Sequence, residues 1–93
     1  MEKSEEKTLK EFRKIPGIGE KISVKIWNLG VHSMKELAES DPEELYLKMC
    51  TQLGTEVDRC VLYVFRCAVY FAANDLHDPE LLKWWNWKNR ILS

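Results

Sequence analysis

The residues with the clearest chemistry form a short turn, Ile15-Pro16-Gly17-Ile18-Gly19, which we call the first hairpin. Gly17 and Gly19 can adopt positive φ and let a ligand approach the backbone, while Ile18 can point inward and hold the turn. If a helix starts directly after Gly19, its unpaired N–H groups and its dipole point to the same place. Such a helix start binds anions, and a phosphate oxygen suits its strength.

Three lysines accompany this turn, because Lys14 precedes it and Lys21 and Lys25 lie one turn apart on the next helix. Cations that neutralise phosphates release counterions, so DNA binding here should weaken steeply with salt. Backbone amides do not distinguish bases, and the expected recognition is of backbone shape. The alternative is that the first hairpin only reverses the chain between two packed helices.

The most unusual segment is C-terminal, where Trp84, Trp85 and Trp87 stand beside Lys88 and Arg90. One small core is not expected to bury three such rings completely. The structural interpretation is that they close the core and one ring stays half exposed. The functional one is a partner surface, with protein favoured over stacked bases because tryptophan is a preferred interface anchor.

The helix predicted over residues 57–74 carries four further candidates at helical spacing, Arg59, Tyr63, Arg66 and Tyr70. These side chains could follow a phosphate backbone. Their apolar surroundings favour a different interpretation, in which they form the polar edge of a mostly buried helix.

Cysteine usage indicates neither a disulfide nor a metal site. Cys60 and Cys67 lie two turns apart on one helix, about 10 Å by helical rise, which is too far for a disulfide. Cys50 could approach Cys60 as a redox pair, but small buried hydrophobic residues are the expected role. His77 and Asp78 adjoin without a nucleophile nearby. We therefore expect no enzyme activity, no metal and no cofactor.

Composition predicts one domain over residues 1–93, with 45% hydrophobic residues and a net charge of −1. The charge is uneven: +2 over residues 1–30, −4 over 31–60 and +1 over 61–93, which makes the middle unattractive to phosphate. No apolar run reaches the roughly 18 residues of a membrane span, and residues 1–14 lack a signal-peptide pattern. We expect a cytoplasmic protein that does not bind membranes.

Residues typical of helix starts and helix ends divide the chain into α-helical segments. Ser33 with Glu36 forms a capping box, Asp41 and Asp78 each precede a proline, and glycines at 30 and 54 suit helix ends. The predicted helices cover residues 5–14, 20–29, 34–39, 42–53, 57–74 and 79–91. Helix one, turn and helix two resemble helix four, turn and helix five. Only the first turn has the Gly-x-Gly form, because the second, residues 53–57, is acidic.

The pattern resembles the helix-hairpin-helix motif of DNA repair and recombination proteins. The residues that carry it are Ile15-Pro16-Gly17-Ile18-Gly19-Glu20-Lys21, then Ile26 and Leu29-Gly30-Val31, with residues 31–38 and 41–45 similar to the second half of tandem domains. The remainder, DRCVLYVFR (58–66), AVYF (68–71) and PELLKWWNWK (79–88), resembles the bacterial pathogenicity-locus family, often labelled mitomycin-resistance-like. The likeness covers nearly the whole chain from Leu9.

The resemblance implies an all-α, five-helix tandem helix-hairpin-helix (SAM-like) domain with an added C-terminal Trp-rich helix. It places Ser23 where the first two helices cross. It assigns phosphate contacts to the amides of Gly19, Lys21 and Ile22. The carbonyls that could hold a bridging monovalent cation are those of Arg13, Ile15 and Ile18.

Taken together, these features predict a non-enzymatic protein that binds DNA backbone through the first hairpin. The predicted contacts are Lys14, Gly17, Ile18, Gly19, Lys21, Ile22 and Lys25. Because the second turn lacks Gly-x-Gly, a monomer would have one phosphate clamp, and binding would be weak unless a dimer or partner supplies another. The alternative is a protein-interaction adaptor whose hairpin is purely structural, using the acidic helices three and four or the Trp segment.

Overall fold

The computed structural model describes the backbone of residues 2–90 and the side chains of residues 5–90. Its elements are α1 (Glu2–Phe12), α2 (Glu20–Asn28), α3 (Met34–Ala38), α4 (Pro42–Leu53), α5 (Arg59–Ala73) and two 3₁₀ helices, Pro79–Leu82 and Trp84–Trp87. This range contains no strand, which confirms the all-α prediction. None of its helices combines the length and the apolar character needed to cross a bilayer.

Side-chain caps and glycines set the ends of the helices as the sequence predicts. The Ser33 hydroxyl accepts from the Glu36 amide at 3.1 Å at the start of α3, and the Asp41 carboxylate accepts from the Glu43 amide at 3.0 Å at the start of α4. Gly54, with φ +65°, ends α4 in the left-handed conformation. The predicted bounds of the first five helices therefore lie within about three residues of the observed ones.

Helix α5 is the centre of the core, as its apolar composition predicts. It packs against α3, α4 and both 3₁₀ helices, and Phe65 and Ala68 on it are fully buried. The chain around the first hairpin contributes Phe12 and Ile15, which are also fully buried. Burial of each such large side chain stabilises the fold by about 1.5–3 kcal/mol relative to exposure. Phe12 and Ile15 therefore fix the first hairpin to the core.

The C-terminal segment differs from the predicted helix over residues 79–91. Extended backbone at Lys83 separates the two 3₁₀ helices, and Ile91 lies outside the described residues. The reason is a pair of side-chain hydrogen bonds within the segment. The Leu81 carbonyl accepts from the Trp87 indole N–H at 2.8 Å, and the Glu80 carbonyl accepts from the Asn86 side-chain amide at 2.7 Å. A continuous α-helix would use those carbonyls for its own ladder.

Candidate functional site

The first hairpin is a tight turn closed by backbone hydrogen bonds. The Ile18 amide donates to the Ile15 carbonyl at 3.1 Å, and the Ile18 side chain is 5% exposed. It points inward as predicted. Gly17 adopts the expected positive φ of +88°, but Gly19 does not, since it is extended at φ −98° and ψ −169°. Gly19 occupies the N-cap position of α2, which requires extended backbone.

Helix α2 starts without a side-chain cap. Gly19 offers no side-chain acceptor, and among the described atoms nothing accepts a hydrogen bond from the amides of residues 19–22. Helices α3, α4 and α5 are instead capped by Ser33, Asp41 and Asp58. An ideal Cβ placed on Gly19 would meet no heavy atom within 4 Å. The positive end of the α2 dipole is therefore open to an incoming oxygen atom.

Exposed lysines lie before the first hairpin and along α2, with Lys25 in the last turn of that helix. Lys14, Lys21 and Lys25 are all exposed, and neither ion pair in the part of the chain described by the structure involves them. Glu20, the first residue of α2, is also exposed and is the one acidic group in this turn. Lys14 and Lys21 are thus the two lysines next to the helix start in the sequence, against one glutamate. Ile22 is half-buried.

Ser23, on α2, has a fully buried side chain. Its location where α1 and α2 cross stays a prediction from the resemblance. Its hydroxyl donates to the Glu20 carbonyl at 2.7 Å, which satisfies the only polar atom of that side chain. The site is thus fixed to the core through a residue that is itself one turn inside α2.

One of the three carbonyls that the resemblance assigns to a cation already accepts a backbone hydrogen bond. The Ile15 carbonyl accepts the hydrogen bond from Ile18, which uses one of its two lone pairs. Arg13 is exposed. A monovalent cation on Arg13, Ile15 and Ile18 stays a prediction.

The second turn, between α4 and α5, has the opposite electrostatic character. The Asp58 carboxylate accepts from the Cys60 amide at 2.9 Å and so occupies the start of α5. Hydrogen bonds from the Cys60 backbone and side chain lower the pKa of Asp58, which keeps this cap ionised at neutral pH. Glu56 is exposed next to it. A phosphate would meet a negative charge here, not free amides.

The Trp segment, residues 84–87, lies directly against the first hairpin. An ideal Cβ on Gly17 would stand 2.8 Å from Cδ1 of Trp84, so only glycine allows this contact. Trp87 is buried, whereas Trp85 is 57% exposed. The structure thus agrees with the expectation of one half-exposed ring. Nothing in the sequence pattern pointed to contact between this segment and Gly17.

Arg66 is a correction to the sequence interpretation of α5. It is 6% exposed, not part of a polar edge, and its guanidinium pairs with Glu43 at 2.8 Å. It also donates to the Trp87 carbonyl at 2.8 Å. Arg66 therefore joins α4, α5 and the C-terminal segment, and it is not available to a phosphate backbone. Arg59 remains exposed, with Tyr63 and Tyr70 half-buried.

The three cysteines are free thiols in different environments. Cys67 is buried as expected, and desolvation raises the pKa of its thiol to about 11. Cys60 was expected to be buried but is exposed, because it lies in the first turn of α5 beyond the core. The sulfur of Cys50 accepts from the Val57 amide at 3.5 Å.

A groove between α2 and α4 was not anticipated. It measures about 580 Å³, and Val24, Met49 and Leu53 line it together with Lys21 and Lys25. Val24 and Leu53 are exposed although apolar. Their positions on the outer faces of α2 and α4 were the only sequence signal for it.

Comparison with protein families shows which family the chain belongs to. The sequence profile of the Pathogenicity locus family matches residues 5–91, and the chain belongs to that family. No curated protein and no solved structure matches it.

Proposed function

We propose that this member of the Pathogenicity locus family is a non-enzymatic protein of the cytoplasm that binds DNA backbone without sequence preference. The binding element is the first hairpin, in a tandem helix-hairpin-helix arrangement with the second turn as its degenerate counterpart. The observation that carries the proposal is the uncapped start of α2 at Gly19, which is exposed to solvent and has Lys14 and Lys21 near it in the sequence. Its amides are free to bind a phosphate oxygen, and the lysines add long-range attraction.

The contrast between the two turns predicts weak binding by a monomer. One turn offers free amides, while Asp58 caps the other with a carboxylate. Non-specific DNA binding at physiological salt has Kd values of roughly 1–100 µM. We expect this protein to lie in that range unless a second copy or another protein adds a further clamp.

The test is fluorescence anisotropy with a duplex at several salt concentrations. If three lysines each neutralise a phosphate, the slope of log K against log salt is about −2.7. Raising salt from about 50 to 200 mM then weakens binding about 40-fold. Lys21→Glu should weaken binding to every duplex sequence and reduce the slope by about 0.9.

Lys35→Glu is the matched control, because it makes the same charge change on an exposed residue of α3, outside the hairpin. It should retain most of the slope. Binding that is absent, insensitive to salt, or equally reduced by both substitutions would contradict the proposal. Equal affinity for unrelated sequences is expected throughout, since amides and ammonium groups read phosphates and not bases.

The groove between α2 and α4 favours a second candidate function, a protein-interaction adaptor. Its apolar floor and its rim lysines, Lys21 and Lys25, suit an amphipathic helix of a partner with acidic residues on its flank. Leu53→Ser separates the two functions, because it removes apolar surface from the floor without adding a charge beside Lys21 and Lys25. Under the DNA proposal this substitution leaves the salt slope unchanged.

A further inference from the structure

We propose that the DNA bound by this protein carries an unpaired base beside its duplex, and that this base stacks on Trp85. The inference rests on the proposed binding of DNA backbone by the first hairpin. It specifies the class of DNA: a duplex with an overhang, a gap or a frayed end.

The placement of Trp85 follows from the contact between Trp84 and the hairpin. Cδ1 of Trp84 lies 2.8 Å from the position of a Cβ on Gly17, and the Trp84 and Trp85 ring centroids are 5.6 Å apart. With a ring radius of about 2 Å added, the Trp85 ring lies within roughly 11 Å of Gly17. Nucleotides in one strand of a duplex rise about 3.4 Å each, so a strand held at the hairpin reaches Trp85 within a few nucleotides.

The exposure of Trp85 sets it apart from its neighbours. Trp87 is buried and its indole N–H donates to the Leu81 carbonyl, so that ring is part of the core. Trp84 is half-buried against Gly17. Trp85 is 57% exposed, while its edge-to-face contact with Trp84, at an interplanar angle of 85°, holds the ring in place. A positioned aromatic ring with open surface is what base stacking requires.

Charge around Trp85 suits a nucleic-acid strand. Lys88 and Arg90 follow it and are exposed, and Lys83 precedes it in an ion pair with Glu80. Aromatic rings beside basic side chains are the usual platform for unpaired strands. Bases inside a duplex already stack on each other, so only an unpaired or terminal base presents a free face to Trp85.

Stacking would also supply the second contact that the acidic second turn does not. Since Asp58 occupies the start of α5, one amide clamp is available to hold the phosphates. A base held on Trp85 fixes the strand at a second point, within roughly 11 Å of Gly17. Duplexes with unpaired bases should therefore bind more tightly than blunt ones.

The experiment compares overhangs with and without bases. Three duplexes of about 20 base pairs are used: blunt, with a short thymidine overhang, and with the same overhang made abasic, which keeps the phosphates but removes the rings. Both overhang polarities are measured by anisotropy. Wild type should bind the thymidine overhang on the order of 10-fold more tightly than the abasic one in at least one polarity. Trp85→Ala should abolish that ratio, and Trp85→Phe should restore most of it.

Leu76→Ala is the matched control, since Leu76 is 90% exposed and apolar but lies outside the Trp segment. It should keep the wild-type ratio. Lys21→Glu should weaken all three duplexes equally, which reports on the proposed function separately. Two results overturn the stacking inference alone. The first is equal binding of the thymidine and abasic overhangs by wild type, and the second is an affinity ratio that survives Trp85→Ala. Absence of binding to all three overturns both proposals.

Discussion

Gly19→Asp should stabilise the protein and weaken its DNA binding. The backbone at Gly19, φ −98° and ψ −169°, is an N-cap conformation that aspartate adopts readily, and the added Cβ meets nothing within 4 Å. A better cap contributes a few tenths of a kcal/mol, the helix dipole about 0.3–1 kcal/mol, and loss of glycine freedom in the unfolded chain about 0.4–1 kcal/mol. Together these raise the free energy of unfolding by about 1–2 kcal/mol, and each kcal/mol raises Tm by about 4–8 °C.

Binding should move in the opposite direction, because the new carboxylate occupies the same amides as a phosphate. Losing a charge-assisted hydrogen bond costs about 1.5–3 kcal/mol, so affinity should fall at least about 10-fold. Thermal unfolding by circular dichroism and anisotropy on one duplex measure the two quantities. Gly19→Asn is the control, since it caps without charge: it should gain less stability, by the dipole contribution of about 0.3–1 kcal/mol, and lose less binding. A more stable Gly19→Asp variant that binds DNA like wild type would refute the assignment of these amides to phosphate.

Three further predictions concern the groups that position the site. Gly17→Ala should lower the free energy of unfolding by about 1–3 kcal/mol in a denaturant titration, because it combines a positive φ with a clash against Trp84; Gly19→Ala, which faces open space, should not. Asp58→Asn should lower thermal stability at pH 7. Because the pKa of Asp58 is lowered in the folded state, the stability difference between wild type and Asp58→Asn should vanish as the pH falls below that pKa. An undiminished difference at low pH would argue against the cap. With a thiol reagent at pH 8, the native protein should react faster at exposed Cys60 than at buried Cys67, although the hydrogen bond to Asp58 raises the pKa of the Cys60 thiol as well. The raised pKa of Cys67 should make stability fall between about pH 9 and 11, a loss that Cys67→Ala should remove.

Locally determined features were predictable because the interacting groups are close in sequence. Ser33 and Asp41 cap helices through amides two or three residues ahead, and Gly54 ends α4 by its own backbone freedom. The uncapped start of α2 belongs to the same class, since Gly19 simply has no side chain to offer. All-helical architecture, helix bounds and the open amides were therefore available from the sequence.

Other parts of the site depend on residues far apart in the chain. The sequence could not show that Trp84 packs on Gly17, that Arg66 is buried through Glu43, or that the C-terminal segment breaks into two 3₁₀ helices. Trp84 and Arg66 contact partners more than twenty residues away, and the C-terminal segment is held by side chains that donate to carbonyls six residues earlier. These hydrogen bonds and this burial compete with local helix propensity. Helix capping depends on neighbouring residues, so the sequence predicts it. Burial and the location of an exposed ring are determined only when the helices pack.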